Sequence, residues 1–218
     1  KEEAKQISFS SNFKKIFNQF LFLLEKYTLF VPSAVYKTKS EISLFHHLKS
    51  TTAIATCLYD LNLNENEITE ITEKFREEKF DDRKPFILLS GDISGIQDFI
   101  YSITTEHALK GLRGRSFYLQ LLAEAIAYRI LDEFNLNLCN LLYIGGGGFL
   151  ILLPNKNDTK EIIEKLTKEI DRKIFDAHRG KLGIVISTLE ISYSDFKIGN
   201  FGKVLEEIDN YRSVLVEG

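Results

Sequence analysis

The sequence predicts an α+β protein: an all-helical segment, then an antiparallel sheet with helices on one face. Three observations point there. Before residue 84, apolar residues recur at helical spacing. From Phe86 onward, short apolar runs alternate with longer helical patterns. Two of those runs are separated by Gly145-Gly146-Gly147-Gly148 alone, which makes them a hairpin. The order from residue 86 is strand, helix, strand, tight turn, strand, helix, strand, which is the ferredoxin-like plan.

Each element has its own signal. Phe13, Ile16, Phe17, Phe20, Leu23, Leu24 and Tyr27 form one apolar stripe, and Pro32 ends that helix. Ser40 to Leu63 reads as a second helix with Ser40 or Ser43 as its N-cap. Residues 65–84 carry eight acids (Glu65, Glu67, Glu70, Glu73, Glu77, Glu78, Asp81 and Asp82) against Lys74, Arg76, Lys79, Arg83 and Lys84. Mixed charge at helical spacing reads as a solvated connector, and the domain boundary is placed there, giving units 1–84 and 85–218. Phe86 to Asp92 is a buried strand, and a helix starts between Ser94 and Tyr101. Thr104 to Ser116 reads as a basic loop, and Phe117 to Phe134 as a long helix. Strands follow at Leu138–Ile144 and Phe149–Leu153, a helix at Asp158–Phe175, a strand at Ile184–Tyr193 and a last helix at Phe201–Leu215.

Composition narrows the function classes. Of 218 residues, 44% are hydrophobic and 27% charged, a globular balance that excludes a mainly disordered chain. The formal charge of −3 provides no global basic field, so nucleic-acid contact requires a local patch. Cys57 and Cys139 form no CxxC pair, which leaves a reducing cytoplasm as the expected compartment. No apolar run reaches the ~18 residues of a membrane span. The chain has no methionine and begins with Lys1, so it is expected to be a piece of a longer protein whose remainder holds part of any active site.

Four groups could carry chemistry. In Gly91-Asp92-Ile93-Ser94-Gly95-Ile96-Gln97, an acid stands at a strand end before a helix start. Free backbone N–H groups there suit a phosphate, and Asp92 could hold Mg²⁺ beside it; the alternative is that Asp92 or Ser94 merely caps the helix. The four glycines form either a permissive hairpin or a close approach for a ligand. Lys110, Arg113 and Arg115 fit a triphosphate or a nucleic-acid backbone. They fit equally a surface loop paired with Glu106 and Glu124, with Arg115 capping internal carbonyls. His46 and His47 point about 100° apart on a helix and cannot easily share a metal, so a structural role is favoured. His107 and His178 have no inferable partner, and no catalytic triad can be assembled.

Three segments together resemble the first palm domain of the large subunit of type III-A CRISPR effector complexes. They are Gly91 to Tyr101, Leu112-Arg113-Gly114-Arg115-Ser116-Phe117-Tyr118, and Tyr143 to Phe149 ahead of Leu153-Pro154-Asn155. Upstream, Val31-Pro32-Ser33 and Ser43 to Ala55 are similar to the last part of that subunit's HD nuclease domain. The resemblance implies a palm/GGDEF-like fold and two palms that hold two ATP molecules between them. It implies synthesis of cyclic oligoadenylate switched on by target RNA, and an HD domain that cleaves single-stranded DNA with Mn²⁺ or Ni²⁺. It also implies partners: the other subunits of the complex, CRISPR RNA and target RNA through them, and a second palm carrying GGDD.

This chain departs from that pattern in ways that bear on activity. Gly147 and Gly148 stand where GGDD has its acids, which leaves Asp92 as a lone carboxylate. No His-Asp dipeptide exists, His46 occupies the place of an acid, and Glu41 stands where Asp is more usual. The expectation is a non-catalytic palm forming half of an ATP site. Ser94, Gly95 and Gln97 would meet the nucleotide, Gly146, Gly147 and Gly148 would let it lie close to the sheet, and Mg²⁺ would accompany it. Lys110, Arg113 and Arg115 would steer phosphate or contact RNA. The alternatives are a GGDEF-like domain that senses or makes a cyclic nucleotide, and a purely structural module.

Overall fold

The structure is a computed structural model that describes residues 13–33, 42–79, 83–101, 108–197 and 199–217. Helices α1 (Phe13–Thr28), α2 (Leu44–Asp60) and α3 (Glu65–Arg76) come first. The rest follows as β1 (Phe86–Ser94), α4 (Ile96–Tyr101), α5 (Ala108–Glu133), β2 (Leu141–Gly145), β3 (Gly148–Pro154), α6 (Thr159–His178), β4 (Gly183–Ile191) and α7 (Phe201–Glu217). The sheet order is β2-β3-β1-β4 with every neighbour antiparallel, the predicted plan.

Strand periodicity splits the core into two layers. Ile87, Leu89 and Ile93 of β1, with Phe149, Ile151 and Leu153 of β3, pack under α5 and α6, the two crossover helices. Phe86 and Leu88, with Leu152 and Ile191, face the other way. There they meet Phe45, Ala53 and Cys57 of α2 and Val204 and Ile208 of α7. The helical segment and the sheet therefore share one apolar layer. Burying a side chain of this size contributes roughly 1.5–3 kcal/mol. An exposed ion pair such as Lys173–Glu169 contributes roughly 0.2–1 kcal/mol. Apolar burial thus decides which faces meet.

A buried polar knot ties α2 to the sheet. Asn140 is fully buried, and its Nδ2 donates to Leu152 O at 3.0 Å and to Ala53 O at 3.3 Å. Cys57 Sγ lies 3.3 Å from the same nitrogen. Burial pushes the Cys57 thiol up to about 12 and the Cys139 thiol up to about 11, so both stay protonated and unreactive at neutral pH.

Several elements differ from the sequence reading. Residues 108–116 are not a loop but the first turns of α5, because Leu109, Leu112 and Ser116 continue the helical repeat of Leu119 and Ala123. Residues 104–107, His107 among them, lie outside the described residues. Leu138–Asn140 is a 3-10 turn, capped by Asn137, whose side chain accepts from Cys139 N, so β2 begins only at Leu141. Ser94 closes β1 rather than opening a helix. Strand β4 ends at Ile191, and Tyr193–Phe196 is a 3-10 turn. Of the two N-cap candidates Ser43 caps α2, accepting from His46 N at 3.2 Å, while Ser40 lies outside the described residues. Helix α3 is exposed, as expected of the charged stretch; its Asn64 and Glu67 form a capping box. Among the described residues no helix is long and apolar enough to cross a membrane.

The buried knot yields a stability prediction. Asn140→Ala removes the buried amide that links Ala53 O to Leu152 O and should lower unfolding stability by about 1–3 kcal/mol, read as a lower urea midpoint.

Candidate functional site

Alternation along β1 sends Ser90 and Asp92 to the face that α7 covers. Asp92 lies opposite Gly148 in the β1–β3 register, and a Cβ built on Gly148 would stand 3.1 Å from Asp92 Oδ1. The carboxylate thus nests in space that a glycine leaves open. Only Gly146 and Gly147 form the turn, with φ of +63° and +92°; Gly145 and Gly148 pair with each other in the ladder. The reversal needs left-handed backbone at two successive residues, which glycine adopts without strain.

The hairpin tip and the start of α4 meet at one end of the sheet. Ile93 N donates to Gly147 O at 3.2 Å, and a Cβ on Gly147 would lie 2.5 Å from Ile96 Cδ1. Gly95 has a structural assignment: its φ is +78°, and a Cβ there would stand 2.2 Å from Lys181 O.

A cleft of about 530 Å³ opens between the sheet and α7. Ser90, Asp92, Tyr143, Gly145 and Gly148 line its sheet side, with Phe149 and Leu150. Leu205, Ile208, Asp209 and Arg212 of α7 form the opposite wall. Burial raises the Asp92 pKa from its ordinary value; the Arg212 charge opposes this and the Asp209 charge adds to it. Arg212 Nη2 lies 3.2 Å from Asp209 Oδ1.

Of the sequence-predicted residues, Asp92 and Gly148 line this cleft, Gly147 packs instead on Ile96 and Ile93 of the layer under α5 and α6, and Gly146 faces open space. Ser94 lies at the β1 end with its hydroxyl toward Gly183, and Gln97 is exposed on α4. Lys110 and Arg113 are exposed on α5, which packs on the sheet face opposite α7. Arg115 Nη1 donates to Phe99 O, and its guanidinium lies over the Phe99 ring at 5.3 Å, so it braces α4 against α5. His46 Nδ1 lies 2.8 Å from Ser43 Oγ at the cap of α2.

Sequence reasoning missed Ser90, Tyr143, Asp209 and Arg212. The i, i+3 spacing of Asp209 and Arg212 beside apolar Leu205 and Ile208 was legible, but which face α7 presents to the sheet was not.

The donor set tests two ligand classes. Among the described residues no three His, Cys, Asp or Glu side chains group as metal ligands. Asp92 and Asp209 supply two carboxylates beside a guanidinium, short of the carboxylate set that a two-metal centre takes. A nucleotide fits better: an aliphatic wall, the half-exposed ring of Tyr143, a glycine-lined backbone and one cation.

Comparison with known proteins gives a consistent set of likenesses. Residues 85–214 match the family described as Csm1 subunit domain B. The chain is 37% identical over 218 residues to the CRISPR system single-strand-specific deoxyribonuclease Cas10/Csm1 (subtype III-A) of Methanocaldococcus jannaschii, covering 90% of this chain and 26% of that protein. It superposes on the crystal structure of Csm1 in T. onnurineus with a TM-score of 0.79 and 28% identity, over 99% of this chain and 28% of that one. Csm1-Csm4 cassettes in complex with AMPPNP and with cA4 each give a TM-score of 0.77, at 28% and 29% identity, over 99% and 98% of this chain and 28% of theirs. The chain spans about a quarter of the length of the curated relatives it matches.

Two predictions follow from the geometry. The folded-state pKa of Asp92 is raised, so the native state binds a proton more readily than the unfolded chain, and ionisation near neutral pH opposes folding. Asp92→Asn should therefore melt higher than the parent protein at pH 7. That advantage should shrink as pH falls through the folded-state pKa toward the unfolded one, in thermal melts run across pH 7 to 4. Gly147→Val places a branched side chain at φ +92° against Ile96, and should cost about 1–3 kcal/mol or more in chemical denaturation.

Proposed function

The chain belongs to the Csm1 subunit domain B family, and from that premise we propose that it is a nucleotide-holding palm of a type III-A CRISPR large subunit. Residues 85–218 form the palm, and residues 1–84 are the end of an HD-type domain with its charged connector. The palm seats ATP, accompanied by Mg²⁺, in the cleft between Asp92 and α7, as one half of a site that a second palm of the full-length protein completes. The likeness to Csm1-Csm4 cassettes in complex with AMPPNP, one ATP, cA3 and cA4 supports ATP as ligand and cyclic oligoadenylate as product of the complete protein. The other subunits, CRISPR RNA and target RNA are its partners in the cytoplasm.

One observation carries the reading: an acid at the end of β1 faces a hairpin that has glycine at every position where a second and third acid would stand. Nucleotidyl transfer by two metals needs several carboxylates converging on one point. Here, among the described residues, Asp92 holds the only carboxylate on the sheet side of the cleft. The glycines do a different job: Gly148 leaves room for the Asp92 carboxylate and Gly145 for the Tyr143 hydroxyl, so that both groups lie close against the sheet at the cleft. Tyr143 offers a ring face to a base, and Leu205 and Ile208 exclude water from one side. The chain binds and orients, and the acids that move phosphoryl groups come from elsewhere. We assign the nuclease role to other segments of the full-length protein; in this one His46 is engaged at the cap of α2, with its Nδ1 2.8 Å from Ser43 Oγ.

Calorimetry with ATP and Mg²⁺ tests the half-site. The full-length protein should bind at least about tenfold (about 1.4 kcal/mol) more tightly than residues 1–218 alone; equal affinity would contradict it. Incubated with single-stranded DNA and Mn²⁺ or Ni²⁺, residues 1–218 should leave it intact. Cleavage that disappears in His47→Ala would refute the assignment of nuclease activity to other segments.

A further inference from the structure

The phosphate-binding group of the cleft is open to identification by elimination. The cations singled out from sequence, Lys110, Arg113 and Arg115, sit on α5, on the other side of the sheet. Among the described residues that line the cleft, the charged groups are Asp92, Asp209 and Arg212, so Arg212 is the cation available there. Helix α7 is anchored by Val204 and Ile208, both buried in the apolar layer, so its rim position is set by packing rather than by charge. Arg212 nevertheless keeps about a third of its side chain in solvent, and Asp209 more than half.

We infer that Arg212 is the phosphate-recognising residue of this cleft, parked on Asp209 until a nucleoside polyphosphate takes the carboxylate's place. This rests on the reading of the cleft as a nucleotide seat. The exchange is chemically even-handed. Two oxygens of a phosphate present the guanidinium with the same planar fork that a carboxylate does, and with more charge. Arg212 Nη2 approaches Asp209 Oδ1 at 3.2 Å on a solvent-exposed rim, an ion pair of the weak class that a polyphosphate can displace. The other α7 residues that line the cleft, Leu205 and Ile208, cannot hydrogen-bond phosphate. An uncharged nucleoside therefore gains nothing from Arg212, whereas a polyphosphate gains a forked, charge-assisted contact.

The test is isothermal titration of the full-length protein, in Mg²⁺ buffer, with ATP, ADP, AMP and adenosine. Affinity should fall in that order. Arg212→Ala should weaken ATP by at least about tenfold (about 1.4 kcal/mol) and adenosine by under about twofold. Arg212→Lys keeps the charge but loses the fork, so its ATP affinity should fall between the two. Asp209→Asn removes the competing carboxylate and should strengthen ATP binding. An ATP affinity unchanged in Arg212→Ala overturns the inference, as does equal weakening of ATP and adenosine. An unchanged Asp209→Asn overturns the parking role of Asp209. If the parent protein binds neither ATP nor adenosine, the nucleotide reading of the cleft falls, and this inference with it. If ATP binds tightly but independently of Arg212, only this inference falls.

Discussion

Strand β1 is paired on both edges and covered on both faces, and the rest of the molecule is arranged around that constraint. Its backbone hydrogen-bonds to β3 on one side and β4 on the other, so no N–H or C=O group of the central strand looks for a partner. Its side chains alternate between two apolar layers, one under α5 and α6, the other under α2 and α7. A one-residue slip would exchange the layers and turn Asp92 into the α5 side of the core, which is why the register is tightly held. The acid is in the cleft because Leu88 is in the core.

The glycines answer four different demands, and composition alone does not separate them. Gly91 lies opposite Phe149, whose ring fills the space of the missing side chain: a Cβ there would stand 2.1 Å from Cζ. Gly95 and Gly147 need positive φ as well as close neighbours. Gly148 gives room to the Asp92 carboxylate, and Gly146 meets nothing. A run of four identical residues therefore contains a ladder pair, a packing contact and an open tip.

Charge is arranged by the same packing. Arg115 is drawn into the α4–α5 contact by a carbonyl and an aromatic ring, interactions in which a cation–π contact alone contributes roughly 0.5–1 kcal/mol. Arg115 is thereby engaged between two helices, on the side of the sheet away from the cleft. Arg212 stands instead on the cleft side, beside Asp209 and across from a desolvated Asp92. The cleft combines a carboxylate held at a disadvantage with a single cation on its rim, an arrangement suited to a ligand that brings its own charge.

Local patterning was sufficient for the element order, the antiparallel plan and the hairpin, because each rests on periodicity or on turn chemistry within a few residues. It was also sufficient to mark Asp92 and the glycine turn, since an acid ending an apolar strand and a glycine run between two strands are visible without knowing what they touch. It failed at residues 108–116, where glycines and arginines suggested a loop although the apolar repeat continued into α5. It could not place α7 over the β1–β4 half of the sheet, so Asp209, Arg212 and Tyr143 had no reason to be grouped with Asp92. That grouping arises from contacts between residues more than fifty positions apart in the chain, and such contacts are set by which apolar faces bury one another. Secondary structure is written in neighbours along the chain, whereas a cleft is made by neighbours in space.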